Sequence, residues 1–267
     1  MPNHLLSLAA GVLPEFAPEQ IVRAAAEAGF AATGIWCDMD TWTDATTHAV
    51  AHQLREGALV ALDIEVVWIR PGREVSDSAR RLIEIGGTLG ARNVLIVSAN
   101  PSRDDTKRQF AILCECAARA GMRAVLEFLM IAEVKTLAQA LEIVTDVDHP
   151  AGGVLVDALH LARCGAIPAD VAHVEPALLP YAQLCDGPAN LPARDYNTYL
   201  LDALDGRVAP GEGELPLREL LAVLPDELPL SLEVRSKRYR DAYPDPVDRA
   251  RAVLTATRRF LGGGYAL

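Results

Sequence analysis

Basic residues are the minority in this chain: 25 lysines and arginines stand against 36 aspartates and glutamates, a formal net charge of −11. That acidic excess argues against a nucleic-acid-binding face, which needs clustered cations to meet the phosphates. No apolar run approaches the roughly 20 residues that a membrane-spanning helix requires. Met1 to Ala10 lacks the basic start of a secretory signal, so the expected compartment is the cytoplasm. Cysteine is sparse and unpatterned: Cys37, Cys114, Cys116, Cys164 and Cys185 include no C-x-x-C pair. An odd count without framework spacing fits reduced thiols. Cys114 and Cys116 lie two apart in an Ala-rich helical stretch, on different faces, and read as packing residues. No Ser/Gly linker, low-complexity segment or long repeat divides the sequence, and residues 1–267 read as one domain.

What is present is alternation. Eight short apolar runs read as strands: Leu5–Ala10, Ala32–Cys37, Val60–Trp68, Asn93–Ser98, Ala124–Leu129, Val154–Asp157, Tyr181–Cys185 and Leu230–Val234. Helical stretches separate them, among them Pro18–Ala28, Asp44–Glu56, Ser76–Leu89, Asp104–Ala120, Leu137–Thr145 and Pro246–Phe260. Gly29, Gly57, Gly90 and Gly121 stand where helices should stop. Shorter helices are expected near Leu159–Arg163, Ala169–Val174 and Leu217–Leu224, with a long irregular connection from the seventh strand to Gly213. Near-continuous apolar strands in strict alternation with helices imply a parallel sheet buried on both faces, and eight units favour closure into an α/β, (β/α)8 TIM barrel. A doubly wound open sheet is the runner-up. Its glycine-rich phosphate loop is missing, since Gly11-Val12-Leu13-Pro14 follows the first strand.

Barrel chemistry collects where strands end. Strand five ends in Leu126-Glu127, strand six in Val156-Asp157, strand seven in Gln183-Leu184-Cys185-Asp186 and strand eight in Leu232-Glu233-Val234-Arg235. A charge inside a buried strand is costly unless paired or metal-bound. Singly, each has an ordinary explanation: Glu233 could pair with Arg235 or Arg123, and Asp157 could cap the helix after it. Jointly, Glu127, Asp157 and Glu233 crowd three negative charges at one end of the barrel, which a divalent cation relieves. Gln183 adds a neutral oxygen, and an all-oxygen set suits Mn²⁺ or Mg²⁺ better than Zn²⁺.

Over essentially its whole length the chain resembles the xylose isomerase-like, sugar phosphate isomerase/epimerase superfamily. The resemblance rests on Leu126-Glu127, Val156-Asp157-Ala158-Leu159-His160, Pro210-Gly211-Glu212-Gly213-Glu214 and Leu232-Glu233-Val234-Arg235. It implies metal ligands Glu127, Asp157, Gln183 and Glu233, with Gln183 where most epimerases carry His. A Gln there is similar to bacterial 3-dehydroshikimate dehydratases of the superfamily. It also implies that His160 faces the substrate.

Arg70 and Arg235, at the mouths of strands three and eight, could clamp a carboxylate or phosphate, or form rim ion pairs. Trp36 and Trp68 could wall a ring-shaped substrate or plug the core. The other histidines, His4, His48, His52, His149 and His173, have no metal-like spacing. The Gly211–Glu214 loop is acidic where phosphate would sit and more simply shapes the mouth. Arg235–Arg240 reads as a solvated basic loop. The expected activity is a metal-dependent lyase, a dehydratase of a small polyhydroxylated keto compound such as 3-dehydroshikimate, with His160, Glu127 and Glu233 as catalytic groups. The alternatives are a keto-sugar or sugar phosphate isomerase/epimerase, an endonuclease IV-like nuclease and a non-catalytic binding barrel. The expected partner is a small-molecule substrate, with neither nucleic acid nor membrane; a homo-oligomer is compatible with the sequence.

Overall fold

The computed structural model describes residues 4–72 and 74–262. Eight parallel strands close into a barrel in sequence order, β8 pairing with β1. They are β1 (Leu6–Leu8), β2 (Ala32–Trp36), β3 (Val60–Ile69), β4 (Asn93–Ser98), β5 (Arg123–Glu127), β6 (Gly152–Asp157), β7 (Ala182–Leu184) and β8 (Leu230–Leu232). The helices are α1 (Pro18–Ala28), α2 (Asp44–Glu56), α3 (Asp77–Leu89), α4 (Arg103–Arg119), α5 (Leu137–Val147), α6 (Ala158–Arg163), α7 (Pro168–Val171), α8 (Tyr196–Asp205), α9 (Leu217–Val223), α10 (Lys237–Ala242) and α11 (Pro246–Phe260). None among the described residues is long and apolar enough to cross a membrane.

The period-two geometry of a strand sorts side chains into two cores. Ile64, Val94, Ile96, Leu126, Val154 and Val156 face outward against the helices. Leu62, Leu95, Val125, Leu155 and Tyr181 fill the lumen. The same alternation carries the lumen-facing row of β5 to β8 upward into polar residues. Val125 is followed two residues on by Glu127, Leu155 by Asp157, Tyr181 by Gln183 and Ser231 by Glu233, and Asp157 stands beside Gln183 in the β6–β7 register.

Two helices differ from the sequence expectation. The irregular connection contains α8, capped by Asp195, whose carboxylate accepts from the Thr198 amide. It buries only Asp202 and Ala203, too few to give an amphipathic stripe. The basic segment forms α10 behind a Ser236 cap, with only Tyr239 buried. Strands β1, β2, β5, β7 and β8 end one or two residues earlier than expected; after β1, Ala10–Val12 is a 3-10 turn, and after β5 the Leu129 amide bonds the Val134 carbonyl.

Asp186, just past β7, organises the loop that follows. Its Oδ1 accepts from Gly187 and Leu215 amides at 2.8 and 3.0 Å, and its Oδ2 from Gly211 at 3.0 Å. Gly213 must lack a side chain, since a Cβ there would lie 2.4 Å from Asp186 Oδ1 and 2.5 Å from the Gly187 carbonyl. Replacing Asp186 with Ala strands three backbone donors, each costing about 1–3 kcal/mol where water cannot reach. Thermal unfolding of Asp186→Ala is therefore expected about 5–10 °C below the wild type for a chain of this size.

Candidate metal centre

Glu127 ends β5, Asp157 ends β6, Gln183 is mid-β7 and Glu233 follows β8. All four are buried, and their polar ends converge. The Gln183 amide terminus lies 3.1 Å from Glu127 Oε1, 3.2 Å from Glu233 Oε2 and 3.3 Å from Asp157 Oδ2. With its nitrogen inward, that amide places its two N–H groups within hydrogen-bond distance of all three carboxylates. With its oxygen inward, four oxygens crowd together, an arrangement that needs a cation or a proton among them. Separations near 3 Å are those of neighbouring oxygens around a small divalent ion with metal–oxygen distances of about 2.1 Å. The donor set therefore fits a hard divalent cation. Asp157 serves twice, because its Oδ1 also caps α6 by accepting from the His160 amide at 2.9 Å.

Sequence reasoning missed Arg207. Its guanidinium is buried among these carboxylates, donating to Asp157 Oδ2 at 2.6 Å and pairing with Glu233 Oε2 at 3.0 Å. Glu233 thus pairs with neither Arg235 nor Arg123. Remaining donors of Arg207 reach the Ala203 carbonyl (3.0 Å), Cys185 Sγ (3.2 Å) and His160 Nε2 (3.2 Å). Guanidinium has no acceptor, so His160 Nε2 must accept and the ring is neutral with its proton on Nδ1. Two short bridges aim Arg207: Gly206 pairs with Ser236 on one side and Val208 with Asp186 on the other. No hydrophobic pattern marks such a residue. The signal was indirect, three buried carboxylates lacking an equal number of buried cations.

The electrostatics follow from burial. Desolvation first, then the neighbouring Glu233 and Asp157, holds the Glu127 carboxyl well above the usual range. Desolvation also raises Glu233, with Arg207 opposing it. Burial pushes Asp157 up as well, but the Arg207 guanidinium and His160 outweigh it and the net shift is downward. Burial depresses His160 to about 4. With all three carboxylates ionised, Arg207 cancels one charge and two remain, the charge of one divalent ion.

Above the centre lies a cavity of about 450 Å³ lined by Glu127, His160, Glu233, Arg207, Trp36 and Trp68, with Arg70 and Arg235 also on its wall. The rim is as the strand ends imply. Arg70 stacks on Trp68 at 5.3 Å and Arg235 over Trp36 at 5.9 Å. Gly11 makes room for Arg235, since a Cβ there would meet its Cδ at 2.8 Å. Helix α8 closes one side with Tyr196, Leu200 and Leu204. An ion pair of two buried side chains, Arg163 to Asp202 at 2.7 Å, ties α8 to α6, which carries His160. The remaining histidines lie away from the centre: His4 bonds the Leu228 carbonyl, His48 its own helix and His149 the Ala151 amide, and His52 and His173 are exposed.

Below the centre, Asp63 on β3 has both carboxylate oxygens buried without a partner. Desolvation, then the charge of Glu233, raises it to about 7, with Tyr181 drawing it part of the way back. A folded-state value above the unfolded one means that stability is full below about pH 4 and declines as the pH rises through 7. Asp63→Asn removes that dependence. In metal-free protein its melting temperature is expected to exceed the wild type's by about 5 °C at pH 8 and to match it near pH 4.5; an equal gain at both values contradicts the assignment.

Residues 22–259 match the family model of the xylose isomerase-like TIM barrel. No curated protein matches the chain. Among solved structures, a xylose isomerase-like TIM barrel/4-hydroxyphenylpyruvate dioxygenase fusion protein aligns with 98% of the chain at 22% identity and TM-score 0.81. The chain spans 44% of that protein. The IOLI protein with a bound zinc atom aligns over 100% of both chains at 17% identity and TM-score 0.79. The probable 3-DHS dehydratase AsbF of Bacillus anthracis, involved in petrobactin synthesis, aligns over 94% of this chain and 98% of its own, at 20% identity and TM-score 0.69. At these identities the structural likeness is one of fold, and it is the sequence match over most of the chain that makes this protein a member of the xylose isomerase-like TIM-barrel family.

Proposed function

We propose that the chain is a divalent-metal-dependent lyase that removes water from a small cyclic keto acid bearing hydroxyl groups, of the 3-dehydroshikimate type. The observation that carries the reading is the convergence of Glu127, Asp157 and Glu233 on the Gln183 amide. Those four residues would hold the ion, which when bound supplies Lewis acidity toward a carbonyl oxygen. The ion is Mn²⁺ or Mg²⁺ on this reading, because Gln183 offers a hard oxygen where a His would offer nitrogen.

The chain's own groups divide the remaining work. Arg70 and Arg235 at the mouth suit a substrate carboxylate, and Trp36 and Trp68 suit a flat ring. Burial holds His160 neutral, and its one lone pair, on Nε2, accepts from Arg207 in this structure; exchanging that contact for the carbon-bound proton beside the carbonyl makes it the base. Loss of that proton and of the β-hydroxyl releases one water. Gln183 cannot titrate near neutral pH and is a passive ligand. The Gln at this position supports dehydration over epimerisation; fold likeness does not choose between them, since D-psicose 3-epimerases align as well as AsbF does. An epimerase would use Glu127 and Glu233 as its acid and base on opposite faces of a keto sugar. A nuclease of the multi-zinc kind needs several histidines at the centre, and among the described residues His160 is the one there.

Metal-stripped protein is expected to lose turnover of 3-dehydroshikimate to dihydroxybenzoate, and Mn²⁺ to restore it, with solvent deuterium entering any substrate recovered after partial reaction. Full activity in a chelator, or interconversion of sugar epimers without release of water, contradicts the dehydratase reading. His160→Ala is expected to lower kcat about 10²–10⁴-fold while leaving metal affinity within a few-fold. A His160→Ala protein that fails to retain metal but turns over normally once saturated places His160 among the ligands.

A further inference from the structure

The metal centre leaves one carboxyl group of the pocket unused. Glu65 lies on β3, three strands round the barrel from β6 and four from β7. It lines the same 450 Å³ cavity as Glu127, His160 and Glu233. Its side chain is 4% exposed, and its Oε1 is sealed from solvent with no hydrogen-bond partner. Among the described residues no ion pair or hydrogen bond involves its carboxyl group. Arg235, Arg207, Asp63 and Glu233 are the charged groups that act on it. Neither arginine hydrogen-bonds to it: Arg207 is held by Asp157 and Glu233, and Arg235 lies over Trp36 with its Nε unpartnered. A buried carboxyl that finds no partner in its own protein costs free energy unless a ligand supplies one. Here the cavity is where that ligand would lie.

We propose that Glu65 is a catalytic residue that contacts the substrate, donating the proton that the departing hydroxyl needs to leave as water. The inference rests on the dehydratase reading and adds the acid that reading lacks. Burial, then the adjacent Asp63 and Glu233, shifts the Glu65 carboxyl upward, toward the protonated form that an acid needs. In the step, the C–O bond breaks with its electron pair going to oxygen, and that oxygen takes the Glu65 proton. The proton removed by His160 passes through pocket water to restore Glu65, so the substrate loses one water and the enzyme is unchanged.

The test compares Glu65→Gln and Glu65→Ala in Mn²⁺-loaded protein. Glutamine keeps a hydrogen-bond donor but has no proton to give. Glu65→Gln is expected to lower kcat for 3-dehydroshikimate about 10²–10³-fold with KM within about threefold of the wild type. Glu65→Ala is expected to lose kcat and also raise KM about tenfold. Both variants should bind as much Mn²⁺ as the wild type. Shikimate, which lacks the carbonyl, serves as a probe that does not require turnover. Its affinity, read from Trp36 and Trp68 fluorescence, should be near normal in Glu65→Gln and about tenfold weaker in Glu65→Ala. An inactive wild type that binds shikimate with this pattern sinks the dehydratase reading and the acid role but keeps Glu65 as a ligand contact. Wild-type kcat in Glu65→Gln, unchanged shikimate affinity in Glu65→Ala, or loss of Mn²⁺ from either variant overturns the proposal.

Discussion

Three carboxylates buried at one end of a barrel repel one another, and the guanidinium of Arg207 is the cation the chain itself supplies against them. Its 2.6 Å contact with Asp157 and 3.0 Å contact with Glu233 lie among almost wholly buried side chains at the floor of the cavity, where little solvent reaches to compensate a charge. Breaking one partner from such a set typically costs about 3–5 kcal/mol, because the charges left behind stay buried. One guanidinium is still too little for three carboxylates. The residual charge is either absorbed by protons, as the raised Glu127 and Glu233 carboxyls indicate, or met by a divalent ion. Any metal ion that bound here would displace those protons.

Much of the surrounding structure serves to put Arg207 and the carboxylates in one place. Bridges from Gly206 to Ser236 and from Val208 to Asp186 strap the Arg207 segment to the ends of β8 and β7. Asp186 then fixes the loop beyond it through three backbone amides. The Ala203 carbonyl on α8 receives Arg207 Nε, and the Arg163–Asp202 pair ties that helix to α6. A shift in α8 thus reaches the pocket wall, Arg207 and His160 together. The central groups are carried by regular strands, and the adjustable parts lie on loops and short helices, the usual division in this barrel architecture.

The barrel was legible in the sequence because its signals are local and repeated: apolar strand, capped helix, glycine stop. The convergence of buried polar groups was legible for a related reason. Glu127, Asp157 and Glu233 interrupt apolar runs, and a charge in a buried strand announces itself. Family resemblance supplied what spacing could not, the roles proposed for Gln183 and His160. Arg207 and α8 were not legible. Arg207 sits between two isolated bridges in a segment with no periodicity, and α8 faces a cavity rather than the core, so its burial leaves no stripe. Glu65 and Asp63 were overlooked inside a strand read as apolar, although Val60–Ile69 breaks its run twice. The same reasoning that singled out the later strand ends applies to them.

The central claim is that Glu127, Asp157, Gln183 and Glu233 form one hard-ion site despite the guanidinium beside them. Anomalous diffraction from crystals grown with Mn²⁺ tests it most directly. The account predicts a single strong peak per chain, with oxygens of all four residues roughly 2.0–2.6 Å away, the Gln183 amide turned oxygen-inward and Arg207 still on Asp157. No peak at saturating Mn²⁺, with Gln183 nitrogen-inward and bonded to the three carboxylates, would contradict it.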